Sequence, residues 1–555
     1  MHFHDMTYHR ITFEEIAAGY DALCRQLQAV RSEGDCRAVL ESRYRLNDRM
    51  TPMDLCYVHY GMNVNDPFYA QEQRYYDEIG PKISELANRF NRLMVESPYS
   101  ACFEKLMGSF AFSMIRSGLD GYDGKLIALE QEENALISQY NHLVSNAKAD
   151  YNGHQVSRAS LAQEQQSPDR EVRRAAYCAV NDAWDQQREE LEEIYDRLVK
   201  LRDRQAKALG YDNYVPLSYL RMDRIGYTPE DVARFCAQVK RDLVPLGAAL
   251  HEKRKARLHM DHLYSYDGGI SFLEGNPVPL GDDAFCLEMT RQMFSRISPE
   301  TKEYIDFLLD NGLYDVAARD GKQGGGYCTQ FEAYGSPFIF ANFDGTSENA
   351  YIMSHEGGHG FYFYLKRNEP IRERGWYTSE MAETHAMAME FFAAPHVELF
   401  FGDRAGDYRQ MHLEGAVSRI LFQCQQDEFQ QIVYEQPELS KEARNDVWRQ
   451  LEQDYFPFRE YLPEEQERIG RRWQRIPHAF LWPFYAIDYA LAQVCALQYC
   501  RWMDEDPAGA WQSYLTFCNA SGNRNFPEAI EAAGLENPFA ETGLTNLMNW
   551  LQKRL

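Results

Sequence analysis

Apolar residues recur three and four positions apart over much of the chain, which is the spacing of an amphipathic helix. The pattern is clearest in the segments 13–30, 81–95, 125–148 and 169–209. The last of these ends at Gly210, the residue type that often follows a helix. Prolines interrupt helices, so Pro52, Pro67 and Pro98 predict breaks, whereas Pro81 predicts a helix start. The chain is therefore predicted to be mainly helical.

A different pattern occupies residues 321–345. Glycines there precede a mostly apolar run, Phe338 to Phe343, in which Asn342 is the one polar residue, and such a run is typical of a strand. The stretch 344–347 indicates a turn with a helix-capping hydroxyl, and the residues from 350 to 365 are apolar on nearly every side. We therefore expect a small sheet, followed directly by a buried helix.

Composition narrows the class of protein. Of the 555 residues, 45% are hydrophobic and 26% are charged, as in ordinary soluble proteins. The formal net charge of −26 argues against nucleic acid or an anionic membrane as the main partner. We find no signal peptide, no apolar run long enough to cross a membrane and no paired spacing among the cysteines. We therefore expect a cytoplasmic protein.

The predicted buried helix contains the sequence His355-Glu356-Gly357-Gly358-His359. Positions i and i+4 share one face of a helix, so both imidazoles can bind the same metal ion while Glu356 handles a water proton. Such ligands suit zinc, which in catalytic sites takes a third protein ligand and keeps one position for water. Gly358, which lacks a side chain, predicts the close approach of another backbone or of a substrate. The alternative is two ordinary histidines in a core helix.

A candidate third ligand lies in the segment 378–390. Glu383 and Glu390 are seven residues apart, on one face of a helix, beside an apolar stripe. Acids in such a place are costly to bury unless they are paired or bound to metal. We assign Glu383 as the ligand and Glu390 as the partner of an imidazole N–H. Glu380 competes for the ligand position, and His385 is expected to point away from Glu383.

These residues resemble a known family. The H-E-x-G-H motif, the two glutamates that follow it, and His478 with Tyr485 and Tyr489 near the C-terminus look like the oligoendopeptidase F group, relatives of thimet oligopeptidase. The resemblance covers roughly residues 200–545 and includes the segments 201–211, 338–343 and 522–534. It implies a mainly α fold, a bowl-like helical body around a deep channel, with a small β-sheet beside the zinc site.

The resemblance also implies function. His355, His359 and Glu383 would bind one zinc ion per chain, and Glu356 would be the general base. His478 and Tyr485 match residues that hydrogen-bond the developing oxyanion, and Tyr489 lies one turn further on. The protein would be a zinc-dependent endopeptidase that cleaves internal bonds of oligopeptides. Independently of the resemblance, the position of the predicted strand directly before the motif helix leads us to expect the peptide to lie extended against residues 338–343 by strand addition.

Two departures from the family pattern leave the choice of tyrosine open. Many members carry a further tyrosine where this chain has Ile487, and a serine where it has Ala386. Three other functions also stay open: a zinc exopeptidase, a metal-dependent amidase and a helical scaffold without metal. We predict an N-terminal helical region, 1–190, and a catalytic region, 191–555, with a soft boundary because no linker separates them.

Overall fold

The computed structural model describes residues 1–319 and 321–555, and 72% of the protein is helical, which confirms the predicted class. The helices are α1 (Phe13–Gln28), α2 (Glu33–Met62), α3 (Pro67–Glu96), α4 (Ser100–Met107), α5 (Ser109–Asp120), α6 (Ile127–Ser145), α7 (Arg170–Ala208), α8 (Tyr214–Arg221), α9 (Pro229–Arg257), α10 (Asp283–Ile297), α11 (Pro299–Asp310), α12 (Glu348–Lys366), α13 (Ser379–Ala393), α14 (Glu398–Phe401), α15 (Ala405–Glu435), α16 (Lys441–Tyr455), α17 (Gln466–Ile469), α18 (Pro477–Leu481), α19 (Ala486–Glu505), α20 (Pro507–Ser521), α21 (Phe526–Ala532) and α22 (Thr545–Arg554).

The helices α1, α6 and α7 lie where the spacing of apolar residues placed them, with ends shifted by a few residues. The side chains of Thr12 and Asp169 cap α1 and α7 by accepting hydrogen bonds from backbone N–H groups of the first turn. Helix α7 is continuous through residue 190, so no break in secondary structure marks the proposed boundary between the two regions.

Two predictions from proline were wrong. Pro52 lies inside α2, and Pro81 lies inside α3, which begins at Pro67 instead. A proline within a helix removes one backbone hydrogen bond and costs about 3 kcal/mol. Both rings are buried, and the long helices that carry them pack against each other and against α1. Burial of these helix faces stabilises them by more than the prolines cost, so tertiary packing overrides the local signal.

A small sheet precedes the motif-bearing helix, as predicted. It contains β3 (Tyr314–Ala317), β4 (Tyr327–Phe331) and β5 (Ser336–Phe343), and a separate hairpin pairs β1 (Lys148–Tyr151) with β2 (His154–Ser157). The strand order in the sheet is β3-β5-β4, with β5 parallel to β3 and antiparallel to β4. A central strand covered on both faces requires a continuous apolar run, and residues 338–341 of β5, all apolar and buried, meet this requirement.

This order corrects the expectation that a peptide pairs with residues 338–343. Strand β5 has a neighbour on each side, so its backbone groups are already used within the sheet. Strand β4 is at the edge, is half-buried over most of its length and also packs against α12. An extended peptide could therefore add to β4 but not to β5.

The large core surrounds four helices from the second half of the chain. Helix α13 lies between α12 and α19, and α15 packs along α19. A second, smaller core is formed mostly by residues 11–115 of α1 to α5 and the segments that join them. Within the described ranges 1–319 and 321–555, no helix combines the length and the apolar character that crossing a bilayer requires.

Helices α12 and α13 approach each other very closely at Gly358. A Cβ atom at this position would lie 2.6 Å from Cα of Ala386 and 2.7 Å from the backbone oxygen of His385. Both of these are backbone atoms, which cannot rotate away as a side chain can. The predicted role of Gly358 is thus confirmed, and the backbone that approaches it is that of α13.

We predict that Gly358→Ala lowers stability by about 1 to 3 kcal/mol, because the added methyl group pushes two buried helices apart. The measurement is Tm by differential scanning calorimetry. Gly118→Ala is the matched control: Gly118 is exposed in α5 and has no neighbour within 4 Å of the added atom. Its substitution should raise stability by up to about 1 kcal/mol. A Gly358→Ala protein as stable as the parent would show that the helices can separate freely.

Candidate metal and catalytic site

Helix α12 presents His355 and His359 on one face, with ring centroids 5.1 Å apart and ring planes at 86°. The turn before the helix is held by Asp344, which accepts hydrogen bonds from both the backbone N–H and the hydroxyl of Thr346. The Thr346 hydroxyl in turn accepts from the N–H of Glu348, as expected for a helix-capping hydroxyl. The sheet and this turn therefore set where the motif begins.

Helix α13 brings Glu383 to the two imidazoles. Its Oε2 atom lies 3.4 Å from Nε2 of His355 and 3.9 Å from Nε2 of His359. One ligand atom from each of the three residues lies within 4.8 Å of the other two. The structure thus brings together the three residues that the sequence analysis assigned as metal ligands.

The donor set fits a metal ion. In the described part of the chain, Oε2 of Glu383 is buried without a hydrogen-bond partner, whereas Oε1 accepts from Tyr485 at 2.6 Å. A buried carboxylate oxygen without a partner is costly, and a cation between the three side chains would satisfy it. Burial lowers the pKa of His359 to about 4, which favours the neutral ring that binds metal. The pKa of His355 is raised instead, because hydrogen bonds to Glu383 and Glu390 outweigh its burial. Nitrogen and carboxylate ligands of this kind suit zinc.

Glu390 orients the first histidine. Its two oxygens accept hydrogen bonds from Nδ1 of His355 at 2.8 Å and from Nε2 of His412 at 2.7 Å. Burial acts to raise the pKa of Glu390, but these two hydrogen bonds outweigh it and lower the pKa to about 2. Because Nδ1 of His355 donates to Glu390, its Nε2 is left for a metal. His412 was missed by the sequence analysis: it lies on α15, and no spacing links it to Glu390.

Glu356 lies between the two histidines in sequence and does not join the ligand set. Its carboxyl group is buried, and Oε2 has no partner among the residues that the structure describes. Burial, with a further contribution from the negative charge of Glu383, raises the pKa of Glu356 to about 7. A carboxyl group with this pKa can both take and return a proton near neutral pH.

Three aromatic residues from the C-terminal part of the chain, His478, Tyr485 and Tyr489, pack together beside the site. The rings of His478 and Tyr485 are stacked, with centroids 5.3 Å apart and planes at 19°. The Tyr489 ring stands edge-on to both, at 5.7 Å from His478 and 5.1 Å from Tyr485. The one O–H of Tyr485 is directed at Glu383. The structure thus brings all three residues to the ligand set, with Tyr485 in direct contact.

A strained residue sets the position of Tyr485. Phe484, just before it, has a φ angle of 68°, which is uncommon for a residue other than glycine. Its N–H donates to Oε1 of Gln430 at 2.8 Å, and its carbonyl accepts from the buried guanidinium of Arg224. Arg224 also pairs with Asp488 at 3.1 Å. Sequence reasoning missed Arg224 and Gln430, since neither is near the motif and no glycine marks the turn.

Two residues that the sequence analysis weighed lie outside the ligand set. Glu380 is buried near Asp488, and burial together with the negative charge of Asp488 raises its pKa to about 8. Both effects favour the neutral form of its carboxyl group. His385 points away from Glu383, as predicted: its Nε2 lies 3.0 Å from the hydroxyl of Ser521, and its ring stacks on Tyr362.

Two family models match the chain. The Peptidase M3 N-terminal domain matches residues 3–121, and Peptidase family M3 matches residues 164–269 and 303–549. The second match covers more than half of the chain, so this protein belongs to Peptidase family M3. The predicted resemblance to the oligoendopeptidase F group is confirmed by this match and by the relatives and structures found.

Individual relatives include Oligopeptidase PepF of Bacillus subtilis (strain 168), which is 24% identical over 404 residues, 70% of this chain and 57% of that protein. Group B oligopeptidase PepB of Streptococcus agalactiae serotype III (strain NEM316) is 23% identical over 384 residues, 68% of this chain and 62% of that protein. The chain thus spans less than two thirds of the length of these relatives. Among solved structures, PZ peptidase A with an inhibitor is 36% identical, with a TM-score of 0.95 and 99% of each chain covered.

We predict that Glu383→Gln lowers the affinity for Zn²⁺ by more than about 100-fold, because it removes a charged ligand. Glu380→Gln should leave the affinity near that of the parent, because Glu380 lies outside the group formed by His355, His359 and Glu383. The measurement is competition for Zn²⁺ against a chromogenic chelator. Loss of binding in Glu380→Gln alone would place the ligand one turn earlier on α13.

Proposed function

We propose that this protein is a zinc-dependent endopeptidase that hydrolyses internal bonds of short oligopeptides. The observation that carries the proposal is the convergence of His355, His359 and Glu383, with the Glu356 carboxyl group beside them and the Tyr485 hydroxyl on Glu383. Membership of Peptidase family M3 supports a peptidase, and a metal ion is in keeping with it. The oligopeptidase relatives support oligopeptides as the substrate class.

The zinc ion would be held by His355, His359 and Glu383. When bound, zinc supplies a Lewis acid that polarises the scissile carbonyl and lowers the pKa of a water molecule. Glu390 would keep the His355 ring in the orientation and tautomer that binding requires, and His412 would hold Glu390 in turn.

Glu356 would be the general base. Its carboxylate would take a proton from the attacking water and later give it to the leaving amine. A pKa raised to about 7 suits both steps, since the group is neither too weak to accept the proton nor too basic to release it.

Tyr485 and His478 would donate to the oxygen of the tetrahedral intermediate, a contribution of about 3 kcal/mol per donor. Tyr485 has one hydroxyl proton, and in this structure that hydroxyl donates its hydrogen bond to Glu383. To act on the substrate it would have to direct that proton to the new oxyanion. Tyr489 is the alternative donor, one turn further along α19.

Strand β4, the edge strand that packs against α12, is the place where we expect the substrate backbone to pair. A deep channel that admits flexible peptides, a cytoplasmic location and the division into regions 1–190 and 191–555 stay predictions. Neither nucleic acid nor a membrane is expected as a partner, given the net charge of −26.

The first test is mass spectrometry of the products from a mixed library of short peptides. The zinc-loaded protein should cut at internal bonds, whereas folded proteins should survive. Release of single terminal residues would favour an exopeptidase, and cleavage of non-peptide amides alone would favour an amidase.

Glu356→Gln should keep its zinc and lose activity by several orders of magnitude, because it lacks the proton acceptor. Undiminished activity of Glu356→Gln would exclude this residue as the base.

The second test separates the two tyrosines. Tyr485→Phe should lower kcat by about 100-fold with little change in KM, because its contact with the substrate is made only in the transition state. The zinc content of each variant is measured as well, since the same hydroxyl donates to Glu383. Tyr489→Phe, with the same loss of one hydroxyl, is the matched control and should stay near the parent. Steady-state kinetics on one quenched-fluorescent peptide gives both constants. The reverse result would make Tyr489 the donor.

A further inference from the structure

A cavity of about 250 Å³ adjoins the site next to His478. It lies between α15 and the segment that leads into α18. Phe422, Gln423 and Gln426 line it from α15, and Arg472, Arg475 and His478 line it from the other side. His478 is thus shared between this cavity and the ring stack that covers Glu383.

The two arginines of the cavity differ from their neighbours. Arg468 and Arg471 both form ion pairs with Asp185, whereas Arg472 and Arg475 form none with any carboxylate in the described part of the chain. Arg472 donates to the hydroxyl of Tyr461 at 2.6 Å. The hydrogen-bond partner of Arg475 is the neutral side-chain oxygen of Asn181. Burial acts to lower the pKa of Arg472, but Tyr461 and Glu452 outweigh it and raise this pKa. Arg475 is therefore the guanidinium of the cavity whose charge is the less compensated.

The positive charge of Arg475 is destabilised where it lies, as its pKa shows. Burial, with a further contribution from the positive charge of Arg472, lowers the pKa of Arg475 to about 10. Arg158 adds to the positive charge: it stacks on Trp184, and its buried Nη1 has no partner among the described residues. In a protein with a net charge of −26, acidic side chains are plentiful, yet within residues 1–319 and 321–555 none forms an ion pair with Arg475. An anionic ligand would supply the missing counter-charge.

We propose that this cavity is a subsite that binds a carboxylate group of the peptide substrate through Arg472 and Arg475. Guanidinium groups match carboxylates in shape and can hold them with paired hydrogen bonds. A volume of about 250 Å³ accommodates roughly one or two residues rather than a long segment. The proposal rests on the proposed function, because it places the subsite beside the bond to be cleaved.

The carboxylate has two sources, the free α-carboxylate at the end of the peptide and an Asp or Glu side chain. The α-carboxylate is present on every short peptide, whereas in a long unfolded chain it lies far from most internal bonds. A subsite for this group would therefore favour oligopeptides as substrates.

The experiment uses four matched peptides that differ only in a C-terminal acid or amide and in an internal Glu or Gln. Isothermal titration calorimetry measures their binding to zinc-loaded Glu356→Gln protein, which does not consume them, and steady-state kinetics measures KM and kcat on the parent. A peptide that carries the recognised carboxylate should bind at least about 10-fold more tightly than its neutral partner, since hydrogen bonds between charged groups are strong. If the C-terminal amide weakens binding, the recognised group is the α-carboxylate. If the internal Gln weakens binding, it is the Glu side chain.

Arg475→Gln should raise Kd and KM for the carboxylate-bearing peptide about 10-fold or more, leave kcat nearly unchanged, and have no effect on the neutral peptide. Arg475→Lys, which retains the charge, should restore part of the difference. Arg471→Gln is the matched control, because it removes the same charge outside the cavity, and should behave as the parent. Each variant's Tm is compared with that of the parent.

Equal binding of all four peptides to the protein with Arg475 intact would overturn the proposal without any need for the variants to fold. An equal loss for charged and neutral peptides in Arg475→Gln would overturn it as well. If the parent cleaves none of the peptides but the carboxylate preference persists and depends on Arg475, the subsite stands and the proposed activity fails. If the parent cleaves the peptides without any carboxylate preference, the proposed activity stands and the subsite fails.

Discussion

The packing of α12 directly on α13 is the constraint on which the site depends. Without a side chain at Gly358, the backbone around Ala386 comes close enough for Glu383 to face both histidines of α12. A larger residue would separate the helices and draw the carboxylate away from the imidazoles. The two glycines of the motif lower intrinsic helix stability by about 1 kcal/mol each. Burial of α12 between α13, the sheet and α10 offsets this cost.

The same packing buries several acids close together, and each is stabilised differently. Glu390 stays ionised because His355 and His412 donate to it. Glu383 accepts from Tyr485 on one oxygen and presents the other to the histidines. Glu356 has neither arrangement, so burial and its acidic neighbours raise its pKa. Three glutamates thus differ in their surroundings. Glu383 presents an oxygen that can bind metal, Glu390 orients a histidine, and Glu356 has the raised pKa that suits a base.

Predictions from the sequence were accurate for features that depend on neighbouring residues and failed for features that depend on distant parts of the chain. Helix spacing and the i, i+4 motif are local, so α12 and the pairing of Glu383 with Glu390 on one face could be predicted. Pro52 and Pro81 were misjudged because burial against distant helices outweighs a local signal. Strand order depends on non-local pairing, so the central position of β5 could not be deduced from its apolar run. His412, likewise, has no periodic relation to the residue that it contacts.

Arg224 shows why the C-terminal half of the site is the hardest to predict. Its guanidinium, between Asp488 and the carbonyl of Phe484, compensates a left-handed turn that costs roughly 1 to 3 kcal/mol. Gln430 from α15 satisfies the other backbone group of that residue. The turn directs Tyr485 at Glu383, and the residues that hold it come from three separate parts of the chain. Strain at Phe484 is therefore tolerated because Arg224 and Gln430 hold both of its backbone groups, and the direction of the Tyr485 hydroxyl depends on residues far apart in the chain.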